Sequence, residues 1–86
     1  MTVKLTAELS LYPLQENYIP VIESFIKAVR AHGDLEVVGN AMSTQICGDS
    51  ERVITVIRNA LEASHEQFGR QVLVAKFITG EFDLHP

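Results

Sequence analysis

Val3-Lys4-Leu5-Thr6-Ala7-Glu8-Leu9-Ser10-Leu11-Tyr12 decides the fold. Val3, Leu5, Ala7, Leu9 and Leu11 alternate with Lys4, Thr6, Glu8, Ser10 and Tyr12. A period of two places the first set on one face of a strand and the second on the other. Pro13 cannot donate to a ladder, so the strand is expected to end there.

Working outward, residues 14–18 read as a connection. Ile19, Ile22, Phe25, Ile26 and Val29 then recur at helical spacing. Pro20 suits a first helical turn, and Gly33 reads as the stop, with Arg30 and His32 near the negative dipole end. Leu35 to Val38 and Met42 to Cys47 read as two short strands, with Gly39-Asn40 between them and Gly48 ending the second. Asp49 and Ser50 offer N-caps for a second helix. Val53, Ile54, Ile57, Ala60, Leu61 and Ser64 mark its inner face, and Gly69 stops it. Gln71 to Thr79 reads as the last strand and ends at Gly80.

The order strand, helix, strand, strand, helix, strand is a pair of interleaved split βαβ units. It predicts an α+β, ferredoxin-like βαββαβ sandwich: a four-stranded antiparallel sheet with both helices on one face. One domain is expected over residues 1–80, followed by a tail over 81–86, expected to be ordered against a neighbour.

The helices leave one sheet face uncovered. Thr6, Glu8, Ser10 and Tyr12 belong to that face, and if Lys76 lies near Glu8, so do Val72, Val74 and Ile78. An apolar strip of this kind marks association. Two copies of the chain are therefore expected to stack across it, as a homodimer or homotetramer.

Composition excludes several functions. The formal net charge is -4, with 7 basic and 11 acidic residues, so no basic stripe awaits a nucleic acid. The single cysteine, Cys47, forms no internal disulfide or CxxC pair and reads as a small core residue. His32, His65 and His85 are far apart, which gives no metal motif. No cofactor motif and no nucleophile–base pair stands out, so the chain reads as a non-enzyme. Neither an export signal nor a run of about 20 apolar residues is visible, and the cytoplasm is the expected location.

Ser10-Leu11-Tyr12-Pro13-Leu14 and Asn40-Ala41-Met42-Ser43-Thr44-Gln45-Ile46 resemble the YkoF-like thiamine/hydroxymethylpyrimidine-binding family. Tyr18-Ile19-Pro20-Val21-Ile22 and Gly48-Asp49 extend the likeness over nearly the whole chain. The resemblance implies binding of thiamine or its pyrimidine precursor, in salvage or transport rather than catalysis. The family's namesake carries two such domains in one chain; a single-domain form must self-associate to reproduce that pairing.

The residue chemistry suits such a ligand. Glu8 can accept from an exocyclic amine or a protonated ring nitrogen. Ser10, Ser43 and Thr44 hydroxyls donate and accept, and Asn40 and Gln45 add amide groups. Tyr12 can stack on the ring, and aromatic and acidic surroundings favour a thiazolium cation. Strand alternation allows only one of Ser43 and Thr44 to face a given pocket. The plainer reading of Glu8 is a cross-strand ion pair with Lys76. An acylphosphatase-type hydrolase would want an arginine in a glycine-rich loop, where Pro13-Leu14-Gln15-Glu16-Asn17 stands instead. An RNA-recognition domain would want aromatic residues on the central strands. The remaining alternative is a regulatory or structural oligomerisation module that senses another metabolite.

Overall fold

The computed structural model describes residues 3–40 and 42–84. Met1, Thr2, Ala41, His85 and Pro86 lie outside the described residues, and with them one residue of the second motif and one of the three histidines. The elements are β1 (Lys4–Pro13), α1 (Ile19–Arg30), β2 (Glu36–Gly39), β3 (Thr44–Asp49), α2 (Ser50–Phe68) and β4 (Gln71–Thr79). All pairings are antiparallel and the strand order is β2-β3-β1-β4. The fold is the ferredoxin-like α+β sandwich that the alternation predicts. No helix among the described residues is long and apolar enough to cross a membrane.

β1 is central and holds the register. Ala7 lies opposite Ile46 of β3 and Phe77 of β4; Glu8 lies opposite Gln45 and Lys76. Ala7, Leu9 and Ile46 meet Phe25 and Val29 of α1 and Val53, Val56, Ile57 and Ala60 of α2 in one buried cluster. Burial of this apolar surface is the main force holding helices to sheet.

The inner helical faces differ in detail from the expected ones. In α1 the buried stripe is Val21, Phe25 and Val29. Ile22 and Ile26 are only half-buried, on the stripe's flank, and Ile19 is exposed. In α2 Val56 is buried and Ile54 exposed. α1 ends at Arg30 with Ala31 as its C-cap, before Gly33 is reached.

The short strands start and end later than their residue types suggest. β2 runs one residue further, through Gly39. β3 begins at Thr44, because Met42 and Ser43 belong to a turn, and it continues through Gly48 to Asp49. Asp49 occupies the N-cap position of α2 without a side-chain cap bond. Its carboxylate lies instead 3.1 Å from the Lys4 ammonium, and that hydrogen bond holds the Lys4 pKa above its ordinary value.

Gly69 ends α2 with φ 90 and ψ -156, a region open essentially to glycine. The buried Ser64 hydroxyl donates to Gln71 Oε1 at 2.8 Å, and Gln71 Nε2 donates to the Gly69 carbonyl at 3.1 Å. This clasp fixes the path from helix into β4. Gly69→Ala is expected to destabilise the fold by about 1–3 kcal/mol, read as a lower urea midpoint. An unchanged midpoint would mean that the junction relaxes without strain.

Residues 81–84 return to the uncovered sheet face, where the buried Leu84 lines a shallow depression with Thr6, Gln45 and Ile78. Leu84 thus packs on this chain's own sheet, while residues 81–83 stay exposed. Beside them the Thr6 hydroxyl donates to the Gly80 carbonyl at 3.0 Å and lies 3.2 Å from Cys47 Sγ. Cys47 is buried as expected, but on this face rather than in the core between sheet and helices.

Candidate functional site

β1 outruns β3. Their pairing stops at Leu9 opposite Thr44, while β4 stays with β1 as far as Pro13 opposite Gln71. Ser10 to Pro13 are thus flanked on one side only. The space that β3 vacates is a groove of about 330 Å³ between the end of β1, the Asn40–Ser43 turn and the start of α1.

Three elements build its walls. β1 contributes the run Leu9 to Pro13. α1 contributes Ile22, Phe25 and Ile26, with Tyr18 at its N-cap. The turn contributes Asn40, Met42, Ser43 and Thr44. Aliphatic and aromatic walls with a few hydroxyls and an amide suit a flat heteroaromatic ring.

Of the seven candidate residues, Ser10, Tyr12, Asn40, Ser43 and Thr44 line this groove; Glu8 and Gln45 line the shallow depression on the open face. Ser43 joins the two places: its hydroxyl donates to Glu8 Oε2 at 3.1 Å. The other Glu8 oxygen lies 3.8 Å from Lys76 Nζ, so the plainer ion-pair reading of Glu8 also holds. Lys76 is largely exposed, and a pair of that kind contributes little stability.

Asn40 is committed to the backbone. Its Oδ1 accepts from the N–H groups of Met42 at 2.8 Å and Ser43 at 3.0 Å, and its own N–H donates to the Ser43 carbonyl at 3.0 Å. This Asx turn ends the β2–β3 link and aims Ser43 at Glu8. Thr44 is buried opposite Leu9 on the helix-facing side of the sheet, while Ser43 reaches Glu8 on the open side. The two neighbours thus serve different faces, as strand alternation requires.

Tyr18, Ile22, Phe25, Ile26 and Met42 are groove residues beyond the seven candidates. Ile22, Phe25 and Ile26 have the helical spacing of core residues, so periodicity alone does not set them apart as groove lining. The perturbed ionisable pairs are remote from the groove. Arg52 donates to Asp34 at 2.6 Å and so holds that carboxyl below its ordinary range, but both side chains are well exposed.

A family model described as thiamine-binding protein matches residues 7–79. No curated protein matches the chain. Protein SP2199 from Streptococcus pneumoniae is similar in structure, with TM-score 0.83, 21% identity, and coverage of 91% of this chain and 88% of that one. A candidate thiamine biosynthesis/salvage protein from Thermotoga maritima is similar at TM-score 0.78 and 18% identity, with 86% and 81% covered. A domain of unknown function, DUF77, from Bacillus cereus is similar at TM-score 0.79 and 20% identity, with 91% and 77% covered. At these identities the three structures establish a shared fold.

Proposed function

Since this chain belongs to the thiamine-binding protein family, we propose that it binds thiamine, or the hydroxymethylpyrimidine part of thiamine, without changing it chemically. The observation that carries this reading is the groove at the end of β1. Its volume of about 330 Å³ falls within the range of small-molecule sites. Tyr12, Tyr18 and Phe25 offer ring faces, and Ser10, Ser43 and Thr44 offer hydroxyls. Glu8 stands one hydrogen bond behind Ser43 and gives the thiazolium cation a carboxylate to approach. Among the described residues no cluster of His, Cys, Asp and Glu could hold a metal ion.

The same proposal covers assembly and role. Tyr12, Val72, Val74 and Ile78 are exposed on the open face, and a second copy stacked there would bury them. A homodimer or homotetramer would set two grooves near one interface. The protein would act in the cytoplasm, in thiamine salvage or transport or in its regulation.

Calorimetric titration with thiamine and, separately, hydroxymethylpyrimidine tests the reading, with the solution mass measured first. Saturable binding of both is expected. Glu8→Gln should weaken thiamine about three- to tenfold and the uncharged pyrimidine less than about twofold, since one Coulombic contact of about 1 kcal/mol is lost only by the cation. Absence of heat with either ligand from folded protein would overturn the proposal in favour of a regulatory module for another metabolite.

A further inference from the structure

Two main-chain hydrogen bonds fix the direction in which each residue of β1 faces. The Ser50 N–H donates to the Val3 carbonyl at 2.8 Å, toward β3; the Gly80 N–H donates to the Lys4 carbonyl at 2.8 Å, toward β4. In an antiparallel ladder a residue aims its N–H and its C=O at the same neighbour, and the direction alternates along the strand. Odd-numbered residues of β1 therefore address β3, and even-numbered ones address β4.

Leu9 is the last odd residue with a β3 partner, Thr44. Leu11 comes next, and continued register would set Met42 against it. Met42 does not take that place. Its N–H is bonded to Asn40 Oδ1, and the residue is 85% exposed. The Leu11 N–H and C=O consequently open on the groove. Pro13, again odd, adds a carbonyl and has no N–H to satisfy. This accounts for a proline inside a paired strand, because its missing donor falls on the side that β3 has left.

The lining agrees. A cavity over one face of a strand touches alternate residues, whereas five consecutive ones, Leu9 to Pro13, line this groove. The groove runs along the strand's edge, so its β1 wall is main chain as well as side chain. The edge is too short for an added peptide strand, since past Leu9 only Leu11 and Pro13 address this side and Pro13 has no N–H.

We propose that the Leu11 main chain reads the aminopyrimidine. Its N–H donates to the ring nitrogen beside the exocyclic amine, and its C=O accepts from that amine. The inference rests on the thiamine-class reading above and adds the group that confers specificity. An acceptor and a donor on neighbouring ligand atoms meet a donor and an acceptor on one residue. A pyrimidine with an oxo group in place of the amine reverses the pattern and sets N–H against N–H and oxygen against oxygen. The Leu11 side chain takes no part, because it lies on the helix-facing side of the sheet with Leu5 and Leu9, against the core.

The test compares thiamine with oxythiamine on the wild-type protein. It adds a variant in which the Leu11 amide is replaced by an ester through incorporation of the α-hydroxy acid. Oxythiamine is expected to bind about ten- to a hundredfold more weakly, and the ester to weaken thiamine about tenfold, as for a group left without its partner. The Leu11 amide should exchange rapidly with solvent in the free protein and become protected in saturating thiamine. Tight thiamine binding with equal oxythiamine affinity and an unprotected Leu11 amide would overturn this inference while leaving the thiamine reading standing. Failure of folded wild-type protein to bind thiamine at all would overturn both.

Discussion

Phe25→Ala is expected to cost about 3–5 kcal/mol of folding stability, the range for emptying a buried aromatic site. Phe25 is 2% exposed and lies midway along the inner stripe of α1, between Val21 and Val29, in the cluster with Leu9 and Ile46. An 86-residue domain buries a smaller share of its surface than a large one, so its total stability belongs near the low end of about 5–15 kcal/mol. The variant should lose more than about 1 M from its urea midpoint. Because Phe25 also lines the groove, the variant removes one of the groove's walls. Phe25→Leu separates the two roles: it keeps most of the packing volume, and its folded population should still bind a flat ring more weakly. A stability loss below about 1 kcal/mol for Phe25→Ala would mean that the ring is not a core residue.

The second large effect lies between Leu35 and Gly48. Leu35 is buried, and a Cβ built on Gly48 would overlap Leu35 Cδ2. The glycine is therefore the receptor for the leucine. Leu35→Ala should cost about 2–5 kcal/mol through the cavity it leaves. Gly48→Ala should cost about 1–3 kcal/mol through overpacking. The double variant should be more stable than the sum of the two losses predicts, because the added methyl occupies space that the leucine has vacated. Denaturant melts of the four proteins supply the cycle. Strict additivity would show that the two residues do not share this space.

The same pair explains why part of the fold was hard to read from sequence. β1 was legible because ten alternating residues admit one strand register. Gly48 was misleading because a glycine looks like a terminator, whereas here it admits Leu35 and the strand continues through it. Met42-Ser43 looked like strand residues, yet the Asn40 side chain supplies the bonds that a strand neighbour would have supplied. Neither event leaves a local hydropathy signal, since each depends on a contact made elsewhere.

The site was legible in a similar proportion. Ser10, Tyr12, Asn40, Ser43 and Thr44, picked out by their hydroxyl, amide and phenol groups, come together in the groove beside the end of β1. Glu8 projects onto the open face, as the alternation of β1 predicts, and its β3 partner Gln45 projects there with it, so both stand apart from the groove. The apolar wall was missed because Ile22, Phe25 and Ile26 share the spacing of core residues. Periodicity identifies a helical face but not the end of a neighbouring strand, and the groove exists only because β3 stops before β1 does.

The pairing of Leu5 with Thr79 spans nearly the whole sequence. Both neighbours of the central strand come from later in the chain, and one of them is the last strand. While the protein is being synthesised, β1 can meet β3 early but must wait for β4, which keeps its even-numbered main-chain groups open. Closure over so long a loop is slow compared with local helix formation. In that interval the nascent chain presents an apolar strand edge to any passing chain, a window of aggregation risk that ends when Gln71–Thr79 docks.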